Sequence, residues 1–277
     1  MDKACDDLKS DLDNPLLEFV KDVWQAEFLR TFKGPIPGAL FINRHDEGHY
    51  GLTFNVNFFV IEGMWIQGAR TSCGLISMAC LNLLYEIYYQ SENMYMAGII
   101  PSPKEPSLME LNYYLKPVID DLATLWKTGF HYSKTALYSS SHTVHCTIIA
   151  AVIDLLAACK TSQLAPVTSY FYCSICQCHH LDTLGRTDYE KWELHDSKEL
   201  QQHVEKWKNP STLKDQEDIF KSHGIHWSEM WHLPYWDPTH QLVVNTMHCI
   251  LEGIAQHHFC VVLGLTDISA ANKPEDT

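Results

Sequence analysis

An α/β fold is predicted by three features of the sequence. Stretches of strand length, alternating or wholly apolar, recur through the first hundred residues. A long row of leucines at helical spacing follows. A further apolar strand then ends on Asp154, immediately before a second helical segment.

The elements follow in order. Leu52-Thr53-Phe54-Asn55-Val56-Asn57-Phe58-Phe59 alternates polar and apolar residues and is rich in strand formers, so it reads as a strand. The small, apolar stretch Thr71 to Leu83 reads as a buried strand, and Met94 to Ile100 as a third that Pro101-Ser102-Pro103 ends. Three such strands in succession fit an antiparallel meander. Ser107-Leu108-Met109-Glu110 is a capping box that starts a helix. Leu108, Leu111, Leu115, Val118, Ile119, Leu122 and Leu125 give that helix one apolar stripe, within which Pro117 predicts a kink. Thr147 to Ile153 is an apolar strand with Asp154 at its end, and a helix is expected from Leu155.

From Tyr172 to about His226 the chain becomes charged and bears His and Trp, with helical patterns around Lys198–Trp207 and Leu213–His223. Leu242 to Gln256 reads as a last helical or strand–helix segment, with Met247, Ile250, Leu251 and Ile254 on one side. The expected division is a polar tail over 1–14, the first part of a core over 15–171, a Cys/His-rich insertion over 172–232, a closing core segment over 233–266 and a polar tail over 267–277.

Hydrophobic residues make up 46% of the chain and charged residues 19%, enough for a sizeable core. There are 20 Lys and Arg against 34 Asp and Glu, for a net charge of −14, and no basic tract. A surface that grips a nucleic-acid backbone would therefore be local or supplied by a partner. The acidic start Met1-Asp2-Lys3-Ala4-Cys5-Asp6-Asp7 is not a signal peptide. The longest apolar run, Cys146 to Cys159, carries Asp154 and is too short to span a bilayer, so no membrane role is expected. Ten cysteines without an export signal point to reduced thiols in the nucleus or cytoplasm rather than to secretion.

Cys173-Ser174-Ile175-Cys176-Gln177-Cys178-His179-His180 puts five soft or borderline metal ligands within eight residues. A Cys-x2-Cys turn aims two thiolates at one point, which is half of a tetrahedral zinc site. The other half could come from Cys178, His179 or His180, or from the pair His223 and His226. A redox dithiol and unmetallated cysteines are the alternatives; the redox motif would open a helix after a strand, whereas this run follows Ser169-Tyr170-Phe171-Tyr172 and leads into a polar loop.

Strand, strand, strand, helix, then a strand ending in Asp154 is the order in which a ribonuclease-H-like fold places its metal-binding carboxylates. Such sites need carboxylates converging on two divalent ions, one from the first strand and one from the end of the fourth. Here the first strand offers Asn57.

Several blocks resemble the catalytic region of the CACTA-type (En/Spm) DNA transposases, especially the versions abundant in mushroom-forming fungi. They are Asn55-Val56-Asn57-Phe58-Phe59 with Glu62-Gly63, the run from Glu92 to Ser107, Ile153-Asp154-Leu155-Leu156-Ala157-Ala158, Cys173-x2-Cys176, and the closing stretches Trp227-Ser228-Glu229, Leu233 to Pro238 and Val243 to His248. Together they cover roughly residues 16 to 265 in the family's order. The resemblance implies a transposase-derived protein with a ribonuclease-H-like core and a zinc-knuckle insertion. Active relatives would cut transposon ends and join them to a target with Mg2+ or Mn2+ held by an acidic triad. Asp154 matches the second acid, but Asn57 stands where the family has its first aspartate, and Asn245 replaces another. The chain also ends soon after the closing block, so Glu252 is the one in-chain candidate for the third acid. The expectation is a truncated, degenerate copy with weak or no activity; the alternative is a noncatalytic, zinc-organised module binding DNA or protein, another transposase chain included.

Plainer roles stand beside these. Asp154 alone reads as a helix cap, Asn57 as a core asparagine satisfying backbone groups, and Glu62 as a turn residue. His248 reads as a packed histidine. Trp227, Trp231, Trp236 and Tyr235 could stack bases, but the scarcity of positive charge, with Arg70 and a few lysines scattered, favours a place in the core.

Overall fold

Six strands form one mixed sheet in the computed structural model, which describes residues 19–43, 46–60, 72–101, 103–135, 137–183, 185–210 and 212–265. The tails, Glu62 and Arg70 lie outside the described residues. β1 (Gly48–Val60), β2 (Ser72–Cys80) and β3 (Met94–Ile100) make the antiparallel meander that the alternation predicts. β4 (Phe130–Tyr132) pairs antiparallel with the start of β5 (His142–Ile153), β5 runs parallel to β1, and β6 (Leu242–Val244) runs parallel to the end of β5. The path across the sheet is β3-β2-β1-β5-β4, with β6 beside β5.

β5 begins five residues before the apolar run that signals it. Its first half carries His142 and His145, both buried, and those polar residues break the apolar pattern. Covered on both faces, β5 behaves as a central parallel strand. β4 is three exposed residues, too short to leave a pattern.

Helices flank the sheet. A short α1 (Glu27–Thr31) precedes it, and α2 (Leu108–Lys127) follows β3. The capping box at α2 forms as expected: the Ser107 N–H donates to Glu110 Oε2 at 2.8 Å and the Glu110 N–H to Ser107 Oγ at 3.4 Å. Leu111, Leu115, Ile119 and Leu122 of the expected stripe are buried, joined by Trp126. The helix continues through Pro117. Proline has no N–H for the carbonyl of Tyr113, and Tyr113 is exposed, so water can take that acceptor.

α3 (Leu155–Ser162) starts where expected and ends at Gln163, whose φ of 59° places it in the left-handed region. Gln163 is held there by its buried side-chain amide, which donates to the carbonyls of Leu108 and Lys160. Beyond it come α4 (His180–Thr183), α5 (Ser197–Lys208), α6 (Leu213–His223) and α7 (Pro238–Gln241). Asp196, Thr212 and Asp237 cap α5, α6 and α7, each side chain accepting from the first turn.

Two apolar clusters form around the sheet. The larger joins Phe54, Val56, Ile148, Ala151 and Ile153 to α2, and also takes in Leu200, Val204 and Trp207 of α5 and the segment from Ile225 to Trp236. Trp227, Trp231 and Trp236 are 6%, 7% and 4% exposed, and the Tyr235 hydroxyl accepts from the Ile148 N–H at 3.2 Å. These rings belong to the core and are not available to stack bases. Asn112 of α2 ties the same segment down: its Nδ2 donates to the Trp227 carbonyl and its Oδ1 accepts from the Glu229 N–H, each at 3.0 Å.

The smaller cluster packs Trp24, Leu29, Phe32, Phe41, Ile42, Leu81, Trp126 and Ile149. Gly51 of β1 lets it form. A Cβ there would meet Ile149 at 2.6 Å and the Trp24 ring at 2.8 Å. Gly51→Ala should therefore lower stability by about 1–3 kcal/mol, the usual range for overpacking, read as a lowered chemical-denaturation midpoint.

After β6 the chain continues in wide π-type helical turns over Met247–Ala255 and His258–Val262. Met247, Ile250, Leu251 and Ile254 are exposed there, as is His248, which pairs with Glu252 at 3.9 Å instead of packing inside. No helix among the described residues is long and apolar enough to cross a membrane.

Candidate functional site

β1 and β5 run side by side in parallel. Their parallel pairing runs to Phe54 opposite Ala151, and Asn55 Nδ2 donates to the Val152 carbonyl at 2.6 Å. The pairing stops there, three residues before Asn57 and Asp154; alternation puts Asn57 on the face that Asn55 occupies. Asn57 is exposed and Asp154 half-buried.

Asp154 also fills the plainer role. Its Oδ1 accepts from the Ala157 N–H at 2.9 Å and so caps α3. Beside it opens a cleft of about 620 Å³ whose lining includes Phe58, Glu105, Lys160 and His248. Lys160 pairs with Glu105 at 2.5 Å. Asn57 does not line this cleft, because alternation along β1 turns Phe58 toward it instead. Glu252 does not line the cleft; it stands 3.9 Å from His248, which does.

The cysteines form a compact knuckle. Isolated bridges join Phe171 to His179 and Cys176 to Leu194, and the His195 N–H donates to the Ile175 carbonyl at 2.9 Å. Inside the turn the Cys176 N–H reaches Cys173 Sγ at 3.3 Å, and Cys178 is buried. Burial pushes the Cys176 thiol up to about 12, with the neighbouring Cys173 and Cys178 sulfurs acting the same way. A second thiolate so close is unfavourable unless a cation joins them. His180 is exposed at the start of α4.

The two spaced histidines go separate ways. His223, at the end of α6, stacks on His203 with ring centroids 3.5 Å apart. It lines a groove of about 240 Å³ with His179, His195 and Glu199. The helix stops there because Gly224 adopts φ 66°. His226 instead stacks on Phe220 at 4.1 Å and meets the edge of Trp207. Burial lowers its pKa to about 4. Because the folded value lies below the ordinary 6.5, stability is intact above pH 6.5 and falls as the pH drops toward 4. A pH series of unfolding midpoints should show that loss. Replacement by His226→Gln should remove on the order of 1–2 kcal/mol of it, the partly solvated ring reducing the full shift.

Two groups that sequence reasoning missed stand out. His195 sits beside the knuckle, its ring bonded to the Cys173 backbone and its pKa lowered by burial. Glu47, His49 and His145 bring one carboxylate and two imidazoles to a single point, with ligand atoms within 4.8 Å of one another. His49 and His145 lie far apart in sequence, and only the parallel register of β1 and β5 sets them opposite each other.

A model of the transposase family tnp2 matches residues 69–217, more than half of the chain. The chain thus belongs to a family of transposases, the tnp2 family. No curated protein matches it. The match includes β2, β3, α2, β5, α3, the knuckle and α5, and it takes in Asp154.

Proposed function

We propose that the chain is a derivative of a CACTA-type (En/Spm) transposase, of the kind abundant in mushroom-forming fungi, built on a ribonuclease-H-like core. Its ancestral chemistry is two-metal DNA cleavage and strand transfer at transposon ends, weak or lost in this copy. What supports this reading is the parallel pairing of β1 with β5, which runs to Phe54 opposite Ala151 and, if continued for three residues, would carry Asn57 toward Asp154. The sheet supports it: an antiparallel meander, then β5 parallel to the first strand, then β6 parallel to β5.

Mg2+ or Mn2+ bound here would stabilise the attacking and leaving oxygens of the phosphodiester. The residues present fit that demand poorly. Asn57 offers a neutral carbonyl oxygen, one Asp154 oxygen is used by the α3 cap, and Glu252 is the remaining acid for the set.

The knuckle has the donor chemistry of a zinc site. Cys173, Cys176 and Cys178 are soft donors around one turn, with His180 or His223 as further candidates, although among the described residues they do not bring three ligand atoms within 4.8 Å of one another, so an ion would have to draw them together. The ion would be structural, fixing the turn beside α5. The proposed setting is the nucleus or cytoplasm, with DNA or a second transposase chain as partner.

Nicking of supercoiled DNA in Mn2+ by the native chain, Asp154→Ala and Asn57→Asp tests the proposal. Gain of nicking by Asn57→Asp alone supports it. Native activity that Asp154→Ala abolishes keeps the site and shows Asn57 to be a working ligand. Silence from all three rejects the catalytic assignment and favours a noncatalytic, zinc-organised binding module.

A further inference from the structure

Glu47, His49 and His145 carry an inference separate from the transposase chemistry. His49 is the second residue of β1, His145 lies directly opposite it on β5, and Glu47 stands immediately before the strand. Asn57 lies eight positions along β1 from His49, about 26 Å at strand rise, so this cluster stands well away from it, at the start of the strand.

Each ring is oriented by a backbone carbonyl. His49 Nδ1 bonds the Phe41 carbonyl at 2.5 Å, and His145 Nδ1 bonds those of Leu125 and Trp126 at 3.1 and 3.0 Å. A carbonyl can only accept, so Nδ1 carries the proton in both rings and each Nε2 presents a lone pair. That is the outer-sphere arrangement that fixes metal-bound imidazoles. Both Nε2 atoms face Glu47 Oε2, at 3.6 Å from His49 and 3.4 Å from His145. Those separations are long for hydrogen bonds, which run to about 3.2 Å. They suit ligands around one ion: donors held about 2.0–2.1 Å from a tetrahedral centre stand about 3.3–3.4 Å apart.

The setting agrees. The two imidazole side chains are 1% and 8% exposed, whereas that of Glu47 is 36% exposed, leaving an approach from solvent. Phe41 stacks on His49 with ring centroids 4.9 Å apart and walls the site on one side. Burial holds the His49 imidazole below its ordinary pKa, with His145 adding to the effect and the Phe41 carbonyl and Glu47 opposing it.

We infer that Glu47, His49 and His145 form a binding site for a borderline divalent cation, zinc first among them, with the fourth position open toward solvent. Two imidazoles and a carboxylate suit zinc and its neighbours better than Mg2+ or Ca2+. The bound ion would join the starts of β1 and β5 to the turn before them.

Co2+ titration of the full chain, stripped by a chelator, separates this site from the cysteines. Cobalt on thiolates gives an intense charge-transfer band, whereas cobalt on imidazole and carboxylate gives only weak visible bands. The native chain should show both classes. Glu47→Gln, a substitution of nearly equal size, should keep the charge-transfer class and lose the second, with affinity there at least about 100-fold weaker. Full retention of both classes in Glu47→Gln overturns the inference, as does a native chain with only the thiolate class or none. The native chain supplies a further readout independent of any variant. On adding Zn2+, the ring nitrogen signals of His49 and His145 should shift together, and signals that stay in place contradict the site.

Discussion

Asn57→Asp should raise Mn2+-dependent DNA nicking by at least about 100-fold over the native chain, equivalent to about 2.7 kcal/mol of transition-state stabilisation. The change swaps an amide for a carboxylate of the same length at an exposed position, so packing is undisturbed. It adds one negative charge at the position that the proposal pairs with Asp154, and hard divalent ions depend on carboxylate charge for their hold. Adding Asp154→Ala to that variant should abolish the gain. The same alanine also removes the cap of α3, which costs about 1 kcal/mol. Asp154→Asn keeps most of the cap and separates stability from chemistry.

The largest stability effect is expected at Asn112. Asn112→Ala leaves the Trp227 carbonyl and the Glu229 N–H without their buried partner. Each orphaned group costs about 1–3 kcal/mol, so a loss of about 2–4 kcal/mol is expected in chemical denaturation. The effect should reach beyond α2. Trp227, Met230 and Trp231 pack in the same cluster as Leu200, Val204 and Trp207, so loosening one segment releases α5 as well. Tryptophan fluorescence should follow the same transition as circular dichroism. A variant as stable as the native chain would show that the two hydrogen bonds are replaced by water.

Much of the fold was legible because local patterns agreed with the tertiary arrangement. The Ser107–Glu110 box, the leucine stripe of α2, the proline stop after β3 and the Asp154 cap are short-range signals, and each appears where it was read. β4 and the first half of β5 were hidden for opposite reasons. β4 is too short to show a period, and β5 buries His142 and His145 where an apolar run would announce a strand. The candidate site divides the same way. The Cys-x2-Cys spacing is visible in sequence, whereas the partners of Glu47 and His49 depend on strand register, which no local spacing encodes. His226 looked like half of a ligand pair, but Phe220 and Trp207 enclose it, an outcome decided by how α5 and α6 pack.

Mn2+ binding followed by the loss of the free-ion paramagnetic signal tests the central claim without requiring turnover. Native, Asn57→Asp and the double variant Asn57→Asp with Asp154→Ala would be titrated side by side, all carrying Glu47→Gln to silence the separate cluster. The account predicts that Asn57→Asp binds Mn2+ at least about 100-fold more tightly than its parent, and that the double variant loses this gain. Equal, weak binding by all three would contradict it, because Asn57 and Asp154 would then not share an ion site at the ends of β1 and β5.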